Sequence, residues 1–328
     1  MNADATDWLL EENNPSVRYF TLVDILNKKS SSTEVREAKA GIMAQPEVVK
    51  ILSRQKPGGH WFEPEDFYVK SKYQGTVWSF IILAELGADG EDRRIKKAAE
   101  FILRWSQDRE SGGFAHRGSG KNGGQHSGVI PCLTGNMVWS MIRFGYYDDP
   151  GVRKGMDWLS SYQRFDDGDE KPPKDWPYKA YENCWGKHTC HMGAIKALKA
   201  AAELPPRRRT RAVKTLIENG AEYFLKHHVH YRSHDLGKMS KPFWTKFIFP
   251  YLYQTDALEI SMILTKLGYR DKRMQRAVDL IVSKQDGQGR WKLDRSFDNK
   301  MLVKIEKKGQ PSKWITLNAM RTLKAYYS

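Results

Sequence analysis

Blocks that are apolar nearly all round alternate along the chain with blocks carrying one charged and one apolar face. "IPCLTGNMVWSMI" (130–142) is of the first kind and "EDRRIKKAAEFILRW" (91–105) of the second. Both read as helices, the first buried on every side and the second covering it with one face. Three stretches share this layout: "ELGADGEDRRIKKAAEFILRWSQDRESGGF", "RFGYYDDPGVRKGMDWLSSYQRFDDGD" and "KLGYRDKRMQRAVDLIVSKQDGQGRW". Each runs helix, tight Gly/Asp turn, second helix, then Gln and a Gly-rich loop. Counting back thirteen residues from the turn glycines Gly87, Gly145 and Gly268 reaches Gln74, Cys132 and Thr255 as equivalent helix starts. Extending the count predicts six apolar helices, starting near 16, 74, 132, 190, 255 and 314.

Six such hairpins predict an all-α protein, a single domain over 1–328 with the apolar helices inside and the charged ones outside: an (α/α)6 toroid. An open solenoid would need polar capping repeats at its ends, and the six copies carry aromatic-rich loops instead. The composition, 40% hydrophobic and 28% charged over 328 residues, suits a packed globular protein. The start, "MNADATDWLLEENN", is acidic, and no run of about 18 apolar residues occurs. A cytoplasmic location is therefore expected, with peripheral membrane contact left open. The formal net charge of +15 would attract nucleic acid, anionic lipid or an anionic substrate without distinguishing them; no nucleic-acid partner is expected. Three cysteines are too few and too odd a number for a disulfide framework.

"QKPGGHW" (55–61) and "QDGQGRW" (285–291) fit the Gln-xxx-Gly-x-Trp motif, and "QDRESGGF" (107–114) is a variant of it. In these motifs the chain resembles the squalene-hopene and oxidosqualene cyclases and the protein prenyltransferases. That resemblance implies an α/α toroid in which Gln and Trp staple one hairpin to the next. The motifs are structural, because the Gln amide can serve orphan backbone groups while Trp covers the apolar seam.

The chemistry has to come from sites. Cys132 and Cys190 hold the same position in consecutive repeats, and His191 follows directly. Neighbouring inner helices would bring these starts within roughly 10 Å of each other. Two cysteines and a histidine with one open position are a catalytic zinc set, and a helix N-terminus favours thiolate. The arrangement is similar to the lanthionine cyclase zinc site. Likeness of "KHTCHMGAIKAL" to the His-bearing segment of farnesyltransferases nominates His188 instead, and Cys184 is the spare thiol. The aromatic segments "KPFWTKFIFPYLYQTD" and "DWPYKAYENCW" suggest a π-rich pocket, with Trp78, Trp139, Tyr181, Trp185, Trp244, Tyr253 and Asn136 as substrate-facing candidates. Thr134, Thr316, Asn136 and Asn318 could orient a hydroxylated substrate or serve helix capping and packing.

The sequence therefore predicts a zinc-dependent enzyme acting on a small apolar or aromatic molecule by addition, elimination or cyclisation. Zn2+ sits on Cys132, Cys190 and His191, and Asp256 or His188 moves the proton. A metal-free terpenoid cyclase using Asp256, and a lipid or isoprenoid carrier, are the alternatives. Three further segments receive structural readings. "DDGDE" (166–170), similar to the Asp-rich acid of class II terpene cyclases, is expected to be a solvated loop. "GSGKNGG" (118–124) is expected to be a mobile lid. The histidines of "HHVHYRSHD" (227–235) are expected to spread over the surface.

Overall fold

The computed structural model describes residues 4–328. The described residues form fourteen α-helices and three two-stranded antiparallel sheets, a mainly helical fold. Six helices are buried along half or more of their length: α1 (Pro15–Phe20), α2 (Thr76–Leu86), α3 (Pro131–Arg143), α4 (His191–Glu203), α5 (Ala257–Lys266) and α6 (Lys313–Tyr327). Every predicted start lies within two residues of an observed one. An amphipathic outer element follows each of the first five inner helices, whereas none follows α6 among the described residues, so five of the six expected hairpins are seen complete. In Arg93–Trp105, Ile95, Ala98, Ala99, Phe101 and Ile102 are buried, while the basic residues between them face outward. Asp92, Asp149 and Thr210 cap three of these outer helices through their side chains. The first hairpin departs from the pattern. Its inner helix continues as a π-helical turn, Thr21–Ile25, and its outer element is split into Thr33–Ile42 and Pro46–Leu52.

Contacts run from α2 to α3, α4, α5, α6 and back to α1. Phe20, at the end of α1, lies against Gly87 at the end of α2. The α3–α4 contact is the most intimate, for a reason visible at one residue: a Cβ on Gly135 would lie 2.5 Å from the Lys196 carbonyl carbon. Only glycine lets the two backbones approach this closely.

The Gln-Gly-Trp motifs are staples, as expected. Gln55 Nε2 donates to Arg94 O at 2.8 Å, and Gln107 Nε2 to Gly151 O at 2.6 Å, each at the start of the next outer helix. Trp61 Nε1 donates to Ile51 O, and Trp291 Nε1 to Ile281 O, each closing the end of the preceding helix. Gly59 takes φ +85, and a Cβ there would meet Lys97 O at 2.3 Å, which fixes glycine in the motif. The staple has a further member. The Oγ1 atoms of Thr76, Thr134 and Thr316 accept from the backbone N–H of Trp61, Phe114 and Trp291 at 2.9–3.1 Å. Thr134 and Thr316 thus belong to helix packing.

The expected lid at 118–124 is a small ribbon, Gly118–Ser119 paired with Gly123–Gly124, seated on the backbone at Trp105 and Ser106. No helix among the described residues is long and apolar enough to cross a membrane.

Candidate functional site

The starts and the ends of the six apolar helices present different chemistry. At the starts, Cys132, Cys184 and Cys190 are partly buried free thiols. Burial, with Cys190 nearby, pushes Cys132 up to about 12, and burial raises Cys184 as well. The Tyr68 hydroxyl lies beside Cys132. Tyr68 stacks on Trp78 at 4.7 Å between centroids, Tyr73 lies 5.5 Å from Trp78, and Tyr253 lies 6.1 Å from it. Gln254 Nε2 donates to Tyr73 OH, and Asn136 Nδ2 to Leu252 O. Trp78 and Asn136 are thus buried at this end, and Tyr253 is partly exposed beside them, accepting from Lys72 Nζ.

The expected zinc set is not assembled. Consecutive residues on a helix point about 100° apart. Cys190, the N-cap of α4, lies among the thiols. His191 therefore turns toward the outer helix Arg211–Lys226. Its Nδ1 lies 3.3 Å from Tyr223 OH, and its ring sits 4.4 Å from His227 and 5.0 Å from Trp244. Burial drives the His191 imidazole down to about 3. Among the described residues no three His, Cys, Asp or Glu side chains are grouped to hold a metal ion. A histidine held by Tyr223 and His227, away from the thiols, does not fit the set, so no step is derived through zinc.

The two expected proton movers have other partners. Asp256 is fully buried and caps α5: Oδ1 accepts from Glu259 N and Oδ2 from Ile248 N, both at 2.8 Å. Burial raises it to about 8 against the pull of these two donors. His188 is half exposed, with Nδ1 3.3 Å from Asp167 Oδ1. Asp167 also lies 3.3 Å from His227 Nε2 and accepts from Ser233 Oγ. The acidic loop is thus no solvated segment at its first two positions. Asp166 and Asp167 are largely buried, and Asp169, paired with Lys226, and Glu170 are open to water. His227 and His230 are buried too, contrary to the expected surface spread. Of the remaining aromatic candidates, Trp185 packs against Trp158 and Tyr178, and Trp244 against His191. Tyr181 OH lies 3.4 Å from His116 Nε2.

At the other end, a cavity of about 500 Å³ opens between the helix C-termini, where Glu85, Arg143, Glu203 and Lys266 stand. Phe20, Trp139, Trp314, Met262 and Ile263 supply its apolar wall. Trp139 and Asn318 are the candidates from the sequence that line it. From Glu85 and Lys199 in its lining, a row of charges runs inward. Lys199 Nζ lies 2.5 Å from Glu85 Oε1 and 3.3 Å from Glu259 Oε1; Lys196 Nζ lies 2.7 and 2.8 Å from the two Glu259 oxygens. The Lys196 and Glu259 side chains are wholly shielded from water. Burial lowers Lys196 to about 8, although Glu259 pulls the other way. On the wall, Arg143 and Lys266 hold Glu203 at about 2 despite its burial. Lys199 Nζ stands 3.7 Å from the Trp139 ring centre, and the Arg143 and Arg321 guanidinium carbons stand 5.0 and 4.9 Å from that of Phe20.

These charges escape a reading that scores the inner helices as uniformly apolar. The signal was present: Glu85 in "TVWSFIILAEL", Lys196 and Lys199 in "GAIKALKAAAE", and Glu259 in "ALEISMILTK" sit on helices with no solvated face. Buried charges require partners, so these four residues had to find each other.

No protein-family model matches the chain, and no curated protein matches its sequence. Among solved structures, the type II terpene cyclase MstE from Scytonema is similar over 95% of this chain and 87% of its own, at 14% identity and a TM-score of 0.43. An arginine variant of that enzyme, in complex with geranylgeranyl dihydroxybenzoate, is similar over 96% and 88%, at 13% identity and 0.42. A protein from Actinoplanes is similar over 88% of this chain and all of its own, at 12% identity and 0.34. Likeness at this level assigns no activity and no residue roles.

Proposed function

We propose that the six inner helices, five of them paired with a following outer element, close a toroid of the (α/α)6 type forming one domain, and that the protein is an enzyme of the cyclase class acting on one apolar organic molecule. The chamber at the helix ends carries this reading. Its volume of about 500 Å³ falls in the range of small-molecule sites, and its aromatic and aliphatic wall converges on a few charged groups. The Gln-Gly-Trp staples, which resemble those of the terpenoid cyclases, agree with it. Glu85 receives the proton-handling role, because Glu203 is clamped by two cations whereas Glu85 faces one ammonium. Behind it, Lys199, Glu259 and Lys196 form a row of proton-exchanging groups that can restore its charge after a transfer.

A carrier without turnover is the second reading, favoured by one observation. Lys199 covers Trp139, and Arg143 and Arg321 flank Phe20, so these rings already hold the protein's own cations. Incubation with acyclic C15 and C20 prenyl compounds, followed by mass spectrometry, separates the two. A cyclised isomer of unchanged mass is expected, lost in Glu85→Gln while the ligand still binds. Unchanged ligand retained by the wild type moves the reading to a carrier, and absence of any retained ligand overturns both.

A further inference from the structure

We propose that the chamber selects amphiphiles with an oxyanion head, carboxylate or phosphate, on an apolar body, and that Arg143, Arg270 and Arg321 receive that head. This rests on the chamber being the ligand site. The wall carries six cationic side chains, Arg143, Lys199, Lys266, Arg270, Arg321 and Lys324, against three carboxylates, Asp24, Glu85 and Glu203. Helix C-termini attract cations through their partial negative charge, and part of this excess answers that demand. Lys324 Nζ donates to Asp24 O and Ile25 O, and Lys39, behind the wall, donates to Gly87 O.

The arginines are spent differently. Arg143 meets Glu203 through one long contact of 3.3 Å, and that carboxylate is shared with Lys266 at 2.6 Å. Arg270 donates to Gly268 O and, among the described residues, has no carboxylate partner. Arg321 reaches Asp24 and Asn318 through its two terminal nitrogens, while its Nε is buried with no partner. A buried N–H without an acceptor is costly. A planar fork with donors to spare is what binds a carboxylate or phosphate bidentately. Phe20, packed by two guanidiniums, holds them in place, and the Trp314, Met262 and Ile263 side of the cavity takes the chain.

The test is calorimetric titration of the intact protein with dodecanoate, dodecyl phosphate and dodecanol, below their aggregation limits. At least one anion is expected to bind about tenfold or more tighter than the alcohol, and which one it is distinguishes carboxylate from phosphate recognition. Arg270→Gln, at an exposed side chain without an ion pair, and Arg321→Gln should each remove most of that preference and leave dodecanol unaffected. Ala325→Trp, filling the chamber, should weaken all three. Equal affinity for alcohol and anions would overturn the headgroup assignment and leave the chamber standing. Anion binding that survives Ala325→Trp would overturn it by placing the anion elsewhere. No binding of any probe would overturn the chamber reading as well.

Discussion

At the starts of α2, α3 and α4 the polar atoms are neutral thiols and phenols closed in by aromatic rings. Farther along the same helices they are full charges: Glu85 and Lys199 line a cavity near the helix ends, and Lys196, with Glu259 of α5, continues the row inward. The contrast matters because the two ends differ in what burial costs. A thiol or phenol loses little on leaving water if it stays neutral, and burial pushes Cys132 up to about 12 so that it does. Lys196, Lys199, Glu85 and Glu259 cannot escape so simply. Each must be matched, and a matched buried row is rarely more stable than an apolar one of the same shape. The costlier arrangement is therefore the stronger pointer to a working site.

The largest expected effect lies in that row. Lys196→Met leaves Glu259 with only the longer contact to Lys199, and should cost about 3–5 kcal/mol, read by urea denaturation. Combining it with Glu259→Leu should return most of the loss, since an apolar pair replaces an ionic one while Lys199 keeps Glu85. A single variant as stable as the wild type would remove the energetic difference between the two ends.

A smaller effect separates the ends by pH. Glu203 sits at about 2, below its ordinary 4.5, so its contribution is complete above pH 4.5 and is lost as pH falls toward 2. Cys132 sits at about 12, above its ordinary 9, so its contribution is complete below pH 9 and is lost as pH rises toward 12. Glu203→Gln should therefore lower stability at pH 7 by up to about 3 kcal/mol and flatten its fall between pH 4.5 and 2. Cys132→Ala should lower stability by about 1 kcal/mol at all pH through the small cavity it leaves, and beyond that should change only the alkaline limb. If Glu203→Gln leaves the acid limb as steep as before, the clamp by Arg143 and Lys266 is not what holds that end.

The helix starts were legible because repeat spacing is a one-dimensional property, and Gly87, Gly145 and Gly268 mark it. The staples were legible because Gln55, Gly59 and Trp61 lie within seven residues. The zinc set failed at a single step. Alignment placed Cys190 and His191 at one helix start, but the turn between neighbours sends His191 to Tyr223 and His227. The chamber was missed for a different reason. Glu85 and Lys199 lie 114 positions apart and meet only when α2 and α4 are brought together. Sequence could say that each needed a partner, and only the fold could say which.

The finest test asks whether the two ends act on each other at all. α3 carries Cys132 near its start and Arg143 at its end, eleven residues apart, which is about 16 Å of helix. Groups separated by more than roughly 10 Å with no shared partner are additive to about 0.5 kcal/mol. Cys190→Ala should cost about 1 kcal/mol from the small cavity it leaves, and should change affinity for a chamber ligand less than about twofold. In a double-mutant cycle with Glu85→Gln the coupling should stay under about 0.5 kcal/mol. Coupling above about 1 kcal/mol would mean that the thiols and the chamber belong to one site, with α4 transmitting strain between Cys190 and Lys199 across the close Gly135 contact. The thiol cluster would then regain a part in function that its geometry alone does not give it.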